Sequence, residues 1–433
     1  MTYVSRRMLR ASACALLIAA AGGASATEGY FLEGVSPREK AIGGAGVADS
    51  RDALTIANNP AGLASVGHQM TLGLSAFSPR REYTGATFFV APGTVKSSQN
   101  WFAIPSFGYA MPIDATSGWG VAVYGNGGMN TNYKVRANPN CGGAPGVFCG
   151  GPKTGVNLNQ AFVSVGYARS FGNLSVGVAP VLAIQMFKAY GLGAFDNPLF
   201  SASPGSVTDN GNSIAAGGGL RAGLQYRVSD TFRVGLSGAT PMWMGKFDKY
   251  KGLFAGAGSF DIPGNITLGV AWDVLPTFTV MLDYKHLFYS GVKSIANSSL
   301  NPALFGSANG PGFGWKDVSV IALGAEWRAT RDLTLRAGYS HNTNPVRARD
   351  VMLNILAPGI VTDHFSAGLS YALTPNARIE VAAVYVPRHS VSGREMIPFF
   401  GPGGPIKISM SQFEGTVGLT YKFGAPAPVV AKY

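Results

Sequence analysis

The sequence predicts an all-β protein, a 14-stranded antiparallel transmembrane β-barrel with an N-terminal plug (hatch) inside the lumen. Three observations lead there. Hydrophobic residues make up 46% of the chain and charged residues only 13%, with 59 glycines, a balance unusual for a soluble domain. Beyond the first residues there is no apolar run of about 18 or more, so no helical span is expected. Period-two alternation recurs instead, and in lipid a sheet satisfies its backbone only by closing into a barrel.

Residues 1–26 read as a secretory signal: Arg6, Arg7 and Arg10 precede the apolar "ACALLIAAAGGA", and Ala24-Ser25-Ala26 is an A-x-A cleavage site. Cys14 leaves with this segment. Cleavage before Thr27 removes three positive charges and lowers the formal charge from +12 to +9. Residues 27–66 are Gly/Ala-rich and lack alternation. Asp49 or Ser50 could cap a short helical turn over Asp52–Ala57, which Asn58-Asn59-Pro60 ends, because proline disfavours helix before it. A segment too short to fold alone would sit most economically inside the barrel.

The barrel is assigned to residues 67–423. Strands are expected near 69–78, 100–111, 117–133, 154–170, 173–188, 213–228, 231–245, 259–274, 276–291, 315–330, 332–344, 361–374, 376–391 and 408–423. The last is the clearest: Phe413, Val417, Leu419, Tyr421 and Phe423 alternate with Glu414, Thr416, Gly418, Thr420 and Lys422. An apolar face with aromatics near its ends, opposite a polar face, fits lipid-out, lumen-in strands. Short turns such as "VLPT" and "LTPN" should be periplasmic, and longer connections such as 189–212 and 292–314 extracellular. Residues 424–433 form a C-terminal extension.

Strand three, in "GWGVAVYGNGGMNTNY", begins well and then loses its side chains at Gly125, Asn126, Gly127 and Gly128. A bulge, a close backbone approach or an opening in the wall would each use such a run. Cys141 and Cys149, in a Gly/Pro-rich loop of an exported chain, are expected to form a disulfide; further thiol or imidazole ligands for a metal are lacking nearby.

The hatch block "KAIGGAGVADSRDALTIANNPAGLA" closely resembles that of the outer-membrane long-chain fatty acid and hydrophobic compound transporter family (FadL/TodX type). "IPSFGYAMPIDATSGWGVAVYGNGG" and "GFGWKDVSVIALGAEWRATRDLTLRAGYSHNTNPV" carry the resemblance into the barrel. The chain departs from it by continuing beyond Phe423 to Tyr433. The resemblance implies passive uptake of hydrophobic molecules in the bacterial outer membrane, most simply long-chain fatty acids. Ligand-triggered hatch movement would be followed by lateral release at the third strand. Aromatic hydrocarbons are the alternative substrates. On this resemblance Asn59, Pro60 and Ala61 are the gate, Gly125–Gly128 the lateral opening, and Lys188 and Lys293 the contacts to a carboxylate head group. Met186, Phe187, Met242, Trp243, Met244, Phe247, Leu253 and Phe254, near strand ends and in a loop, suit a greasy capture groove, because Met and aromatic side chains adapt to varied chains.

Other classes fit less well. There is no G-x-S-x-G for a lipase, and the 5 histidines form no Ser/Asp or metal constellation, so no enzyme is expected. A general anion-preferring porin conflicts with a plug. The basic residues are scattered, which speaks against nucleic acid. No cofactor, metal or energy-coupling partner is expected. The partners would be the hydrophobic solute, outer-membrane lipid and lipopolysaccharide, and the barrel-assembly machinery, for a protein acting as a monomer.

Overall fold

Alternation along each strand dictates the architecture: a computed structural model, describing residues 28–86, 88–397 and 401–424, closes its sheet on itself. The signal segment with Cys14, and residues 425–433 with Tyr433, lie outside the described residues. The barrel strands are β1 Gln69–Gly85, β2 Phe102–Pro112, β3 Ser117–Asn130, β4 Lys153–Phe171, β5 Leu174–Tyr190, β6 Ser213–Arg227 and β7 Phe232–Ala239. They continue with β8 Asn265–Leu275, β9 Phe278–Leu287, β10 Val318–Arg328, β11 Leu333–Asn342, β12 Asp363–Ala372, β13 Ala377–Ile397 and β14 Gly401–Lys422. Each pairs antiparallel with its neighbour, and β1 pairs with β14 from Gln69↔Lys422 to Thr84↔Lys407, which closes the ring. Three short segments, 93–96, 133–134 and 243–244, join the sheet beside these strands.

The faces sort as the alternation requires. On β14, Phe413 and Val417 are exposed while Glu414, Thr416 and Thr420 are buried. On β12, Phe365, Leu369 and Tyr371 face out and Ser366 and Ser370 face in. Among the described residues no helix is long and apolar enough to cross a membrane. β1, β13 and β14 run past their expected ends, so this side of the wall rises higher than the sequence reading placed it.

Residues 28–66 contact strands all around the ring from its inner side. Arg38 pairs with Glu326 on β10 at 2.9 Å, Lys40 with Glu414 on β14, and Glu28 with Lys285 on β9 at 2.9 Å. Helix α1, Pro37–Ala41, starts at a capping box formed by Ser36 and Glu39. A 3-10 turn, Ala53–Ala57, is capped by Asp52, whose carboxylate accepts from the Leu54 N–H. Asp49, expected as that cap, is instead held by the guanidinium groups of Arg38, Arg51 and Arg233 at 2.7, 2.9 and 3.2 Å. Those charges hold the buried Asp49 carboxyl below its usual range, against the effect of burial itself.

Candidate functional site

The wall is interrupted at the position expected from the glycines, but not because side chains are missing. The β2–β3 ladder runs from Pro112↔Gly118 to Ser106↔Tyr124 and stops. β2 nevertheless pairs with β1 as far as Phe102, and β3 with β4 as far as Asn130↔Asn157. The edges 102–105 and 125–130 thus face one another without a ladder. Two local features produce this. Pro105 has no N–H to offer, and Asn126 is an extra residue, shifting the β3–β4 register between Gly125 and Gly127.

The hatch occupies the interruption from inside. Phe31 bridges Gly127, and the Gly128 N–H donates to the Tyr30 carbonyl at 3.1 Å. Gly127 and Gly128 have φ of 118° and 156°, a region few other residues adopt. Leu32 packs with Phe77, Phe102 and Ile104 behind the gap. The hatch end is itself fixed: Tyr30 N–H donates to the Tyr289 hydroxyl at 3.0 Å, and that hydroxyl donates to the Glu28 carbonyl at 2.7 Å.

Asn59 is fully buried and makes three contacts. Its Oδ1 accepts from Ala61 N–H at 3.1 Å, and its Nδ2 donates to the carbonyls of Val47 at 2.8 Å and Leu224 on β6 at 3.0 Å. Pro60 and Ala61 begin the 3-10 turn Pro60–Ala64, so the tripeptide starts a helix as well as ending one. Gly177 and Gly223 make room for it: a Cβ on either would stand 2.3 Å from Pro60 C or 2.0 Å from Asn59 Oδ1.

Four of the eight capture residues meet. Phe187, Phe247 and Phe254 cluster with Tyr250 and Phe260, with Phe187–Phe254 centroids 4.7 Å apart. Phe187, Leu253 and Phe254 line an apolar pocket together with Phe195, Phe305 and Phe313. A second pocket adjoins it, sharing Phe195, Phe305, Pro311 and Leu353. Met186 and Lys188 project from the other face of β5, because they flank Phe187 on a strand whose side chains alternate. Met242 and Met244 pack over the glycines of β6, and Trp243 is exposed. Lys293 is exposed and donates to Asn309 Oδ1 at 2.9 Å within its own loop. Neither lysine lines the cavity. Phe195, Phe305 and Phe313, which do, come from loops whose sequences carry no period. Cys141 and Cys149 are joined, with Cα atoms 5.7 Å apart, and neighbouring Phe148 packs against Phe195 at 5.7 Å.

From cavity to gap runs a wall of rings. Phe254 meets Phe260 at 4.8 Å, Phe260 meets Tyr30 at 6.4 Å, and Phe313 meets Trp315 at 6.3 Å. Trp315 stands against Tyr30 at 6.0 Å and also lines a narrow crevice beside Gly128.

Residues 13–398 match the family described as outer membrane protein transport protein (OMPP1/FadL/TodX). The long-chain fatty acid transport protein of Salmonella typhi is 25% identical over 67% of this chain and 71% of its own. That of Escherichia coli strain K12 is 24% identical over 67% and 72%. In fold the chain is similar to the Pseudomonas putida toluene transporter TodX, with a TM-score of 0.67 at 20% identity over 92% of this chain and 100% of that one. It is equally similar to a Pseudomonas aeruginosa FadL homologue, with a TM-score of 0.67 at 15% identity over 91% and 100%. A closed barrel with a lipid-compatible outer face and this match place the protein in the bacterial outer membrane, and the chain belongs to the OMPP1/FadL/TodX family of outer membrane transport proteins.

Proposed function

We propose that the barrel carries hydrophobic molecules, foremost long-chain fatty acids, passively into the outer membrane, acting as a monomer inserted by the barrel-assembly machinery. The carrying observation is the juxtaposition of an apolar, aromatic-lined cavity with an unpaired stretch of wall, separated by hatch residues 30–32. A solute enters past Phe195 and Phe305 and seats against Phe187 and Phe254. Tyr30 and Phe31 then shift off Gly127, and the solute leaves between β2 and β3. Asn59-Pro60-Ala61 keeps the rest of the hatch anchored. This route never exposes an apolar chain to the aqueous periplasm, whose avoidance is the driving force for burial. Aromatic hydrocarbons are the second reading, favoured by the many rings around the cavity.

The test is deletion of Asn126, which restores one register along β3 and β4. Uptake of a labelled fatty acid by cells depending on this protein should fall to background. Heat-modifiable gel mobility, the mark of an intact barrel, should persist. Undiminished uptake with an intact barrel would refute lateral release.

A further inference from the structure

Most buried cations here face a carboxylate. Arg38 has Asp49 and Glu326, Lys40 has Glu414, and Arg336 has Glu326 at 2.8 Å; the half-buried Lys285 has Glu28. Arg81 does not. It lies on the inward face of β1, 4% exposed, and among the described residues no carboxylate stands within 4.0 Å of it. Its two terminal nitrogens donate to backbone carbonyls, of Asn130 and of Gln99, and its Nε is buried without a partner. Phe102 lies under the guanidinium, 5.6 Å from its carbon to the ring centroid. Arg221 also lacks a carboxylate and has an unpartnered Nε, but it lies on β6 beneath the hatch carbonyl of Asn58, at 3.2 Å, and not beside the interrupted ladder.

Position gives Arg81 its meaning. Asn130 ends β3, Phe102 begins β2, and the guanidinium therefore spans the open end of the interrupted ladder. It lines a narrow crevice bounded by Phe77, Gly128, Met129 and Trp315. Two residues along the same inward face stands Tyr83, whose ring meets Tyr133 at 5.3 Å; both hydroxyls are buried without partners. The unmet groups in this corner include three donors, an N–H and two O–H, and the acceptor Asn130 Oδ1, around a full positive charge. A buried charge left unpaired is costly, and the ligand that removes the cost is an anionic acceptor.

We propose that Arg81 binds the carboxylate of an amphiphilic substrate at the exit, so that the substrates passing this gap are organic acids with an apolar tail rather than neutral hydrocarbons. This inference rests on the lateral-release reading and adds a head-group contact to it. Lys188 and Lys293, expected in that role, face away from the lumen or into a loop.

The test compares dodecanoate with dodecanol on purified, folded protein. Wild type should bind both. Arg81→Gln should lose about tenfold or more of its dodecanoate affinity relative to its dodecanol affinity, the weight of one charge-assisted contact. Arg81→Lys, which keeps the charge, should recover most of that ratio. An unchanged ratio in Arg81→Gln, or an equal loss of both ligands that Lys does not rescue, overturns the assignment and leaves uptake standing. Wild type that binds dodecanol but not dodecanoate overturns it as well. If wild type binds neither, the transport reading itself falls, and this inference with it.

Discussion

The carbonyl oxygen of Tyr30 lies where a side chain on Gly127 would begin: a Cβ there would stand 1.8 Å from it. The glycine run of strand three is therefore a seat for the hatch backbone before it is a hole in the wall. Gly127→Ala should leave the barrel intact but unseat residues 30–32. With a cysteine at position 31, labelling by a membrane-impermeant thiol reagent should rise several-fold on introducing Gly127→Ala. Equal labelling in the two proteins would show that the hatch end does not depend on this contact.

Asn59 ties the hatch to β6 through one side chain. Asn59→Ala removes the donors to Val47 and Leu224 and the cap on Ala61. The Leu224 carbonyl keeps its place in the β6 ladders, so the loss there is one hydrogen bond, about 0.5–1.5 kcal/mol. Val47 keeps a bond from Gln225 Nε2 at 3.0 Å, so the hatch should loosen rather than fall out. Planar-bilayer recordings should show more frequent leak openings than wild type. An equally silent variant would show that Asn59 does not anchor the hatch.

Much of this was legible in the sequence because strand alternation is a local property. Phe413 against Glu414 reads the same whether or not the barrel is known. The same rule, applied strictly, separates Phe187 from Met186 and Lys188, which cannot share a face with it. Helix α1 also had a local sign, Ser36 three residues before Glu39, the signature of a capping box. The rest of the site was not local. Phe195, Phe305 and Phe313 come from separate long loops, and only tertiary packing makes them neighbours. Arg81 looks like its neighbour Arg80 in the sequence; strand parity turns one inward and the other out, and only the folded barrel shows that the inward one is buried without a carboxylate.

Those loop aromatics should govern affinity. Phe195 lines both outer cavities, and truncating a buried aromatic of this kind costs about 1.5–3 kcal/mol of apolar contact. Phe195→Ala should weaken dodecanol binding by about tenfold or more, as read by displacement of a fluorescent apolar probe. Lys188→Ala and Lys293→Ala, whose side chains lie outside the cavity, should bind as wild type does. A lysine variant that loses binding while Phe195→Ala retains it would reverse this assignment of the pocket.

Glu33 gives the seated hatch a pH dependence. Its carboxyl is 5% exposed; Oε1 accepts from Ser340 Oγ at 2.9 Å and Oε2 has no partner. Burial, aided by the Glu28 and Glu414 carboxylates and opposed by Ser340, pushes the group from 4.5 up to about 8. The seated state therefore favours the neutral acid. Below about pH 4.5 the acid is protonated whether the hatch is seated or released, and its contribution is complete. As pH rises toward about 8 the released state gives up its proton first, so seating weakens progressively and then levels off. Glu33→Gln holds a neutral amide at every pH and removes this component. The thermal midpoint of Glu33→Gln minus that of wild type should climb between about pH 5 and pH 8 and then flatten. A difference that stays constant across that range would mean that the Glu33 carboxyl is already charged in the seated hatch, and that Ser340 holds a carboxylate rather than an acid.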